Sequence, residues 1–171
     1  MNTASILKAI RFADEKHKGQ KRKFSGEEYI THPIAVSYIL ANFKKSKHLS
    51  NLICAAILHD VIEDTDAEYK NIFNLFDNQE DATMIIALVK ELTSDQKEID
   101  KIGKTEYLKK KLVGISSYGL TLKLCDRLAN MSDNPSEKQK KETIDILAFV
   151  EKKRKLSATQ KVLVAEIKGL L

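Results

Sequence analysis

Residues 50–65 read SNLICAAILHDVIEDT, and Leu52, Ile53, Ala55, Ala56, Ile57, Leu58, Val61 and Ile62 make this stretch apolar on most sides of a helix. A helix with that pattern belongs in an interior, so the spacing predicts a buried helix over 50–64. His59 and Asp60 interrupt the apolar run, and Glu63 and Asp64 follow. A charged group taken out of water is costly unless it is paired or bound to a metal. His59 and Glu63 lie four apart, as do Asp60 and Asp64, which predicts two adjacent polar columns on one side of the helix. The competing reading is a helix C-terminus reaching solvent, with Asp64 and Asp66 opening the next cap.

The rest of the chain must supply the partners of that helix. Two prolines and six glycines are few for 171 residues. Periodic segments rich in Leu, Ile, Ala, Lys and Glu dominate instead, which favours helices over sheet. Helices are predicted over 3–17, 32–43, 50–64, 67–76, 78–94, 104–116, 120–132, 136–154 and 158–170, with Ser50 and Ser157 as N-caps. Pro33 suits a first helical turn. Residues 19–26 form a basic, glycine-bearing loop, and the polar segment 94–104 is expected to be loop. The length fits one all-α domain over 1–171, without repeat or linker.

Composition narrows the function classes. The chain has no run of about 18 apolar residues, so no membrane span is expected. Its N-terminal segment lacks a secretory h-region with a cleavage site, which points to the cytoplasm. Cys54 and Cys125 sit in apolar stretches and read as reduced, buried thiols. A formal net charge of +5 suits an anionic partner: a nucleotide, a nucleic acid or a membrane surface. The basic cluster of Lys138, Lys140, Lys141, Lys152, Lys153, Arg154 and Lys155 lacks interleaved aromatics for base stacking, so nucleic acid is not the expected partner.

Two further segments carry polar groups of the right kind. Tyr29-Ile30-Thr31-His32-Pro33 places a second imidazole at a helix entry. In TLKLCDRLANMSDN, Asp126, Asn130 and Asp133 share one side of an otherwise apolar helix. Arg127 points about 100° away from Asp126 on an ideal helix, so a metal is the more natural partner for that carboxylate. Two imidazoles with two carboxylates suit a borderline divalent metal such as manganese, iron or zinc. Such a metal lowers the pKa of its water enough to supply hydroxide near neutral pH. Glu63 and Asp64 are placed to orient that water or move protons.

Three stretches together resemble the HD superfamily of metal-dependent phosphohydrolases, and within it the hydrolase domain of RelA/SpoT-type proteins and stand-alone small alarmone hydrolases. They are Phe12-Ala13-Asp14 through His17, Gln20-Lys21-Arg22-Lys23 and Tyr29 to Pro33; then Ala55 to Thr65; then Lys123 to Met131. The resemblance implies an HD-type helical bundle with one metal, usually manganese. It implies removal of the 3′-pyrophosphate of guanosine tetra- or pentaphosphate, the alarmone of the stringent response. By that resemblance His32, His59, Asp60 and Asp126 are the ligands, and Glu63 and Asp64 the catalytic carboxylates. Arg22 lies against the guanine, Lys23 meets phosphate, and Asn130 contacts the sugar–phosphate region. A polyanionic nucleotide needs cations, and a guanidinium plane stacks on a base, so the basic loop agrees. No synthetase or regulatory domain is expected. The chain departs from the family pattern at Cys125, Ala129 and Ser132, at residues 93–97 and in the helix around 106–110. Hydrolysis of another nucleotide or phosphorylated metabolite, and a non-enzymatic alarmone-binding module, are the alternative readings.

Overall fold

The computed structural model describes residues 2–23 and 25–171; Phe24, in the basic loop, falls outside them. Its described residues are all-α, with eleven helical segments and one isolated antiparallel bridge between Lys21 and Glu28. The chain divides into two compact units, one up to Thr93 and one from Ser94.

The first unit contains α1 (Thr3–Lys16), α2 (Thr31–Phe43), α3 (Leu49–Leu58), α4 (Val61–Asp64), α5 (Tyr69–Phe73) and α6 (Gln79–Leu92). α1, α2 and α6 all pack on α3, and α5 packs on α6. Every residue of α3 from Asn51 to Leu58 is buried, as its all-round apolar pattern predicts. The helix does not run on to 64, however. It stops at Leu58, His59 and Asp60 form a turn, and the single turn α4 restarts from Asp60. The Asp60 carbonyl accepts the Asp64 N–H at 2.9 Å, so the four-residue relation of Asp60 and Asp64 survives the break. Ser50 is not the cap of α3 but lies inside its first turn. Its hydroxyl accepts the Asn2 N–H at 2.8 Å and ties the start of α1 to α3.

The second unit contains α7 (Gln96–Ile102), α8 (Lys104–Gly114), α9 (Ser117–Met131), α10 (Glu137–Lys153) and α11 (Ala158–Gly169). α9 packs on α11, α10 on α8, and α7 on α8. The expected loop over 94–104 is therefore mostly helix. α7 has no buried residue, so its apolar pattern is silent, and a local cap specifies it instead. The Asp95 carboxylate accepts the N–H groups of Lys97 and Glu98 at 3.0 and 3.2 Å. Gly103, at φ +84°, separates α7 from α8 in a conformation that suits glycine. Ser157 caps α11 as predicted, in a capping box with Gln160. The Gln160 amide is buried and donates to the Ser117 carbonyl at 2.9 Å, joining α11 to α9.

Among the described residues no helix is long and apolar enough to cross a membrane. Cys54 and Cys125 are free and buried, and burial pushes both thiols up to about 12. That is the inert state expected of core cysteines.

Arg154 leaves the basic cluster to which its sequence neighbours assign it. Its Nη1 donates to the carbonyls of Leu112 at 3.0 Å, Val113 at 3.3 Å and Ile115 at 2.6 Å. These carbonyls end α8, where helical partners run out and a cation is favoured. Arg154→Ala is expected to cost about 1–3 kcal/mol, the scale of hydrogen bonds to a charged group. A urea denaturation midpoint equal to that of the parent protein would contradict this role.

Candidate metal centre and its surrounding carboxylates

The candidate centre in the first unit is assembled from two chain breaks. α2 begins at Thr31, which puts His32 and Pro33 in its first turn. Proline costs little there, because the first N–H groups of a helix have no intrahelical partner. His32 is held buried at that entry. The other break is the turn after α3. It brings His59, 1% exposed, and the half-buried Asp60 to the same place.

Asp60 Oδ2 is the point of convergence. His59 Nε2 lies 3.0 Å from it and His32 Nε2 3.6 Å. The Tyr29 hydroxyl donates to it at 2.7 Å. The two imidazole rings stand 5.4 Å apart between centroids. His59 Nδ1 lies 2.7 Å from the Ala56 carbonyl oxygen. A carbonyl can only accept, so Nδ1 carries the proton. In the neutral ring, Nε2 then presents a lone pair toward a carboxylate oxygen. Two electron-rich atoms at 3.0 Å call for a cation between or beside them, either a proton or a metal. An outer N–H donated to a backbone carbonyl is also how metal-ligating histidines are usually held. The donor set of His32, His59 and Asp60 thus fits a divalent metal.

The surrounding groups are less enclosed. Glu63 and Asp64 are exposed, as the solvent-reaching reading expects. Yet the Asp64 carboxylate is not idle: Tyr29 reaches its Oδ2 at 3.0 Å. Burial, followed by the charges of Asp60 and Asp64, pushes the Tyr29 phenol far above its ordinary value, so it remains a donor. Tyr29 is a site residue that sequence reasoning missed, although its place three residues before His32 was a usable signal.

The described residues that flank the tip of the basic loop are paired across it. Arg22 and Glu27 are joined by an N–H to carbonyl bond of 2.8 Å, and Tyr29 N–H reaches the Gln20 carbonyl at 3.0 Å. Gly26, at φ +74°, closes the turn, and Lys21 pairs with Glu28. The Arg22 guanidinium stands 6.0 Å from the centroid of the Tyr29 ring. Lys23 is exposed.

In the second unit, Asp126 lies on α9 with two partners from its own helix. The Asn130 amide donates to Oδ1 at 2.7 Å, and Lys123 Nζ lies 3.4 Å from Oδ2. Arg127 instead reaches Thr143 Oγ1 at 3.4 Å, which agrees with its divergent direction. Lys123, one turn earlier at a spacing of three, is thus a second charged partner for Asp126 beside any metal. Asn130 serves to orient the Asp126 carboxylate.

Comparison with known proteins places this geometry in a family. A family model described as HD domain matches residues 9–165, across both units. A probable guanosine-3′,5′-bis(diphosphate) 3′-pyrophosphohydrolase of Mycoplasma pneumoniae is 32% identical over 161 residues, which is 86% of this chain and 21% of that relative. The chain therefore spans about a fifth of that relative's length. The guanosine-3′,5′-bis(diphosphate) 3′-pyrophosphohydrolase MESH1 of zebrafish, Danio rerio, is 32% identical over 133 residues, covering 77% of this chain and 70% of that relative. A solved structure of a metazoan ortholog of SpoT, described as hydrolysing ppGpp, superposes with a TM-score of 0.79 at 28% identity, over 100% of this chain and 99% of that one. A match over most of the chain, including the histidine–aspartate turn, shows that this protein belongs to the HD domain family.

Proposed function

We propose that this chain is a metal-dependent pyrophosphohydrolase that removes the 3′-pyrophosphate of guanosine 3′,5′-bis(diphosphate), in the cytoplasm and with manganese as its metal. The observation that carries the reading is the His59–Asp60 turn, where the Ala56 carbonyl sets the imidazole tautomer and turns a lone pair toward the carboxylate. The names of the zebrafish and Mycoplasma relatives supply the substrate class. His32, His59, Asp60 and Asp126 are the proposed ligands; His32, His59 and Asp126 each offer an atom of the kind a metal binds. A divalent metal held there supplies Lewis acidity, which withdraws charge from a phosphoryl oxygen and lowers the pKa of water.

The chain's own groups do the remaining work. Water must add its oxygen to the phosphorus next to the ribose, and the ribose 3′ oxygen must leave with a proton. Glu63 and Asp64 are the exposed carboxylates beside the turn, suited to orient that water, take its proton and return one to the leaving oxygen. Arg22 and Lys23 offer the cations that a guanine nucleotide with two diphosphates requires. Asn130 holds the Asp126 carboxylate, and a contact from it to the sugar–phosphate region is part of the same proposal. The substrate is a small nucleotide rather than a nucleic acid.

Three measurements on purified protein test this reading. His59→Ala and Asp60→Ala are each expected to lose bound manganese and hydrolysis together, beyond the ~10–100-fold that loss of an outer partner costs. Full metal occupancy with parental turnover in both would defeat the ligand assignment. Glu63→Gln and Asp64→Asn are expected to retain metal and nucleotide affinity while turnover falls on the order of 100-fold or more. Near-parental turnover in both would remove them from the chemistry, and loss of metal would move them into the ligand shell. Arg22→Ala should raise the Michaelis constant for the guanine nucleotide about ten-fold, the scale of a lost stacked cation. An unchanged kinetic profile would reject that contact.

A further inference from the structure

His17 is 2% exposed, and among the described residues its Nε2 is buried without a hydrogen-bond partner. An imidazole nitrogen shut away from water in this manner is a cost that native structures rarely carry without a reason. The metal set and the carboxylates proposed for catalysis do not include His17, so the reason lies in what the rest of its ring touches.

Two routes lead from that ring, and both end on Asp64. The first is a hydrogen-bonded chain. Gln20 Nε2 lies 2.7 Å from the main-chain carbonyl oxygen of Asp64. That oxygen only accepts, so the amide nitrogen of Gln20 must face it. Gln20 Oε1 is then turned toward His17, and it lies 2.8 Å from Nδ1. Nδ1 therefore carries the proton, and the bare nitrogen is Nε2. The second route is by stacking. The His17 ring lies on that of Tyr29, with centroids 4.6 Å apart and planes 34° apart. The Tyr29 hydroxyl in turn reaches the Asp64 carboxylate at 3.0 Å.

Asp64 needs such help. It is the last residue of α4, a helix of 4 residues, and the backbone turns extended at Thr65. A single helical turn has little stability of its own. Its end would fray, and an exposed carboxylate on a frayed end holds no fixed direction. We infer that His17 and Gln20 are positioning residues: they latch the main chain of Asp64 and so fix the direction of its carboxylate for reaction. The hydrogen-bonding tautomer of His17 is the one the latch requires, and its unsatisfied Nε2 is the cost of placing the ring against Tyr29. This inference rests on the proposed role of Asp64 in hydrolysis.

The test uses the full chain loaded with manganese, with guanosine 3′,5′-bis(diphosphate) as substrate. Gln20→Ala removes the link to Asp64. His17→Phe keeps the stacked ring and removes the Nδ1 donor. Both are expected to lower turnover on the order of ten-fold to a hundred-fold, the effect of a misplaced reacting group, with Michaelis constant and metal content unchanged. His17→Asn, which keeps a donor near the Nδ1 position, should restore most of the turnover. In an Asp64→Asn background, Gln20→Ala should add no further loss, because it acts only through that carboxylate. Amide hydrogen exchange over residues 61–65 should quicken in Gln20→Ala and His17→Phe and stay unchanged in the other helices. Unchanged exchange over 61–65, or losses that multiply on the Asp64→Asn background, would overturn the latch. Exchange needs no substrate, so it decides the latch even if the parent protein releases no pyrophosphate; that result would defeat the hydrolase reading instead.

Discussion

The hydrogen bond from His59 Nδ1 to the Ala56 carbonyl sets the chemistry of the candidate centre. One turn of a fully buried helix supplies the acceptor, and the acceptor dictates which ring nitrogen holds the proton. The other nitrogen is then fixed as a donor of electrons aimed at Asp60. Without that bond the ring could take either tautomer, and the pair would lose its demand for a cation. The burial of α3 thus does more than build a core: it makes the backbone carbonyl a rigid reference for the imidazole.

The break at His59–Asp60 is the second constraint. A helix that continued through these residues would keep both side chains on its own surface, in the columns that the spacing suggests. The turn instead lets Asp60 meet His32, His59 and Tyr29 through one oxygen atom. It also leaves Glu63 and Asp64 on a single helical turn that reaches solvent. Enclosed donors and open carboxylates next to one another suit the proposed hydrolysis, in which the former would hold a cation in place and the latter would exchange protons with water. The cost is a weak α4, and the contacts from Tyr29 and Gln20 fall on that weak point.

Asp126 shows the opposite arrangement. Its carboxylate is oriented by Lys123 and Asn130 from the same helix, so a regular α9 suffices to hold it. These contacts offset part of the cost of enclosing the charge and keep both oxygens in a defined direction. Arg154 plays a comparable part at the end of α8, where one guanidinium serves several carbonyls that the helix itself leaves without partners.

Much of this was legible in the amino-acid order. The all-round apolar pattern of residues 52–58 demanded burial, and any polar pair set into it demanded a partner; that alone singled out His59 and Asp60. Periodicity and caps such as Ser157 gave the helical class, because those signals are local. Where the pattern was local but not apolar, as in α7, hydrophobic spacing had nothing to report and the Asp95 cap was overlooked. Tertiary structure decided the rest. That α3 ends at Leu58 depends on how the turn is held among its neighbours, since His59 itself has helical backbone angles. That Tyr29, His17 and Gln20 converge on Asp64 depends on bringing together residues 35 to 47 positions apart, and no periodicity encodes such a meeting. The residue types able to perform the chemistry were written in the chain; which lone pair faces which oxygen was set by the packing of α3 and the hydrogen bonds at its end.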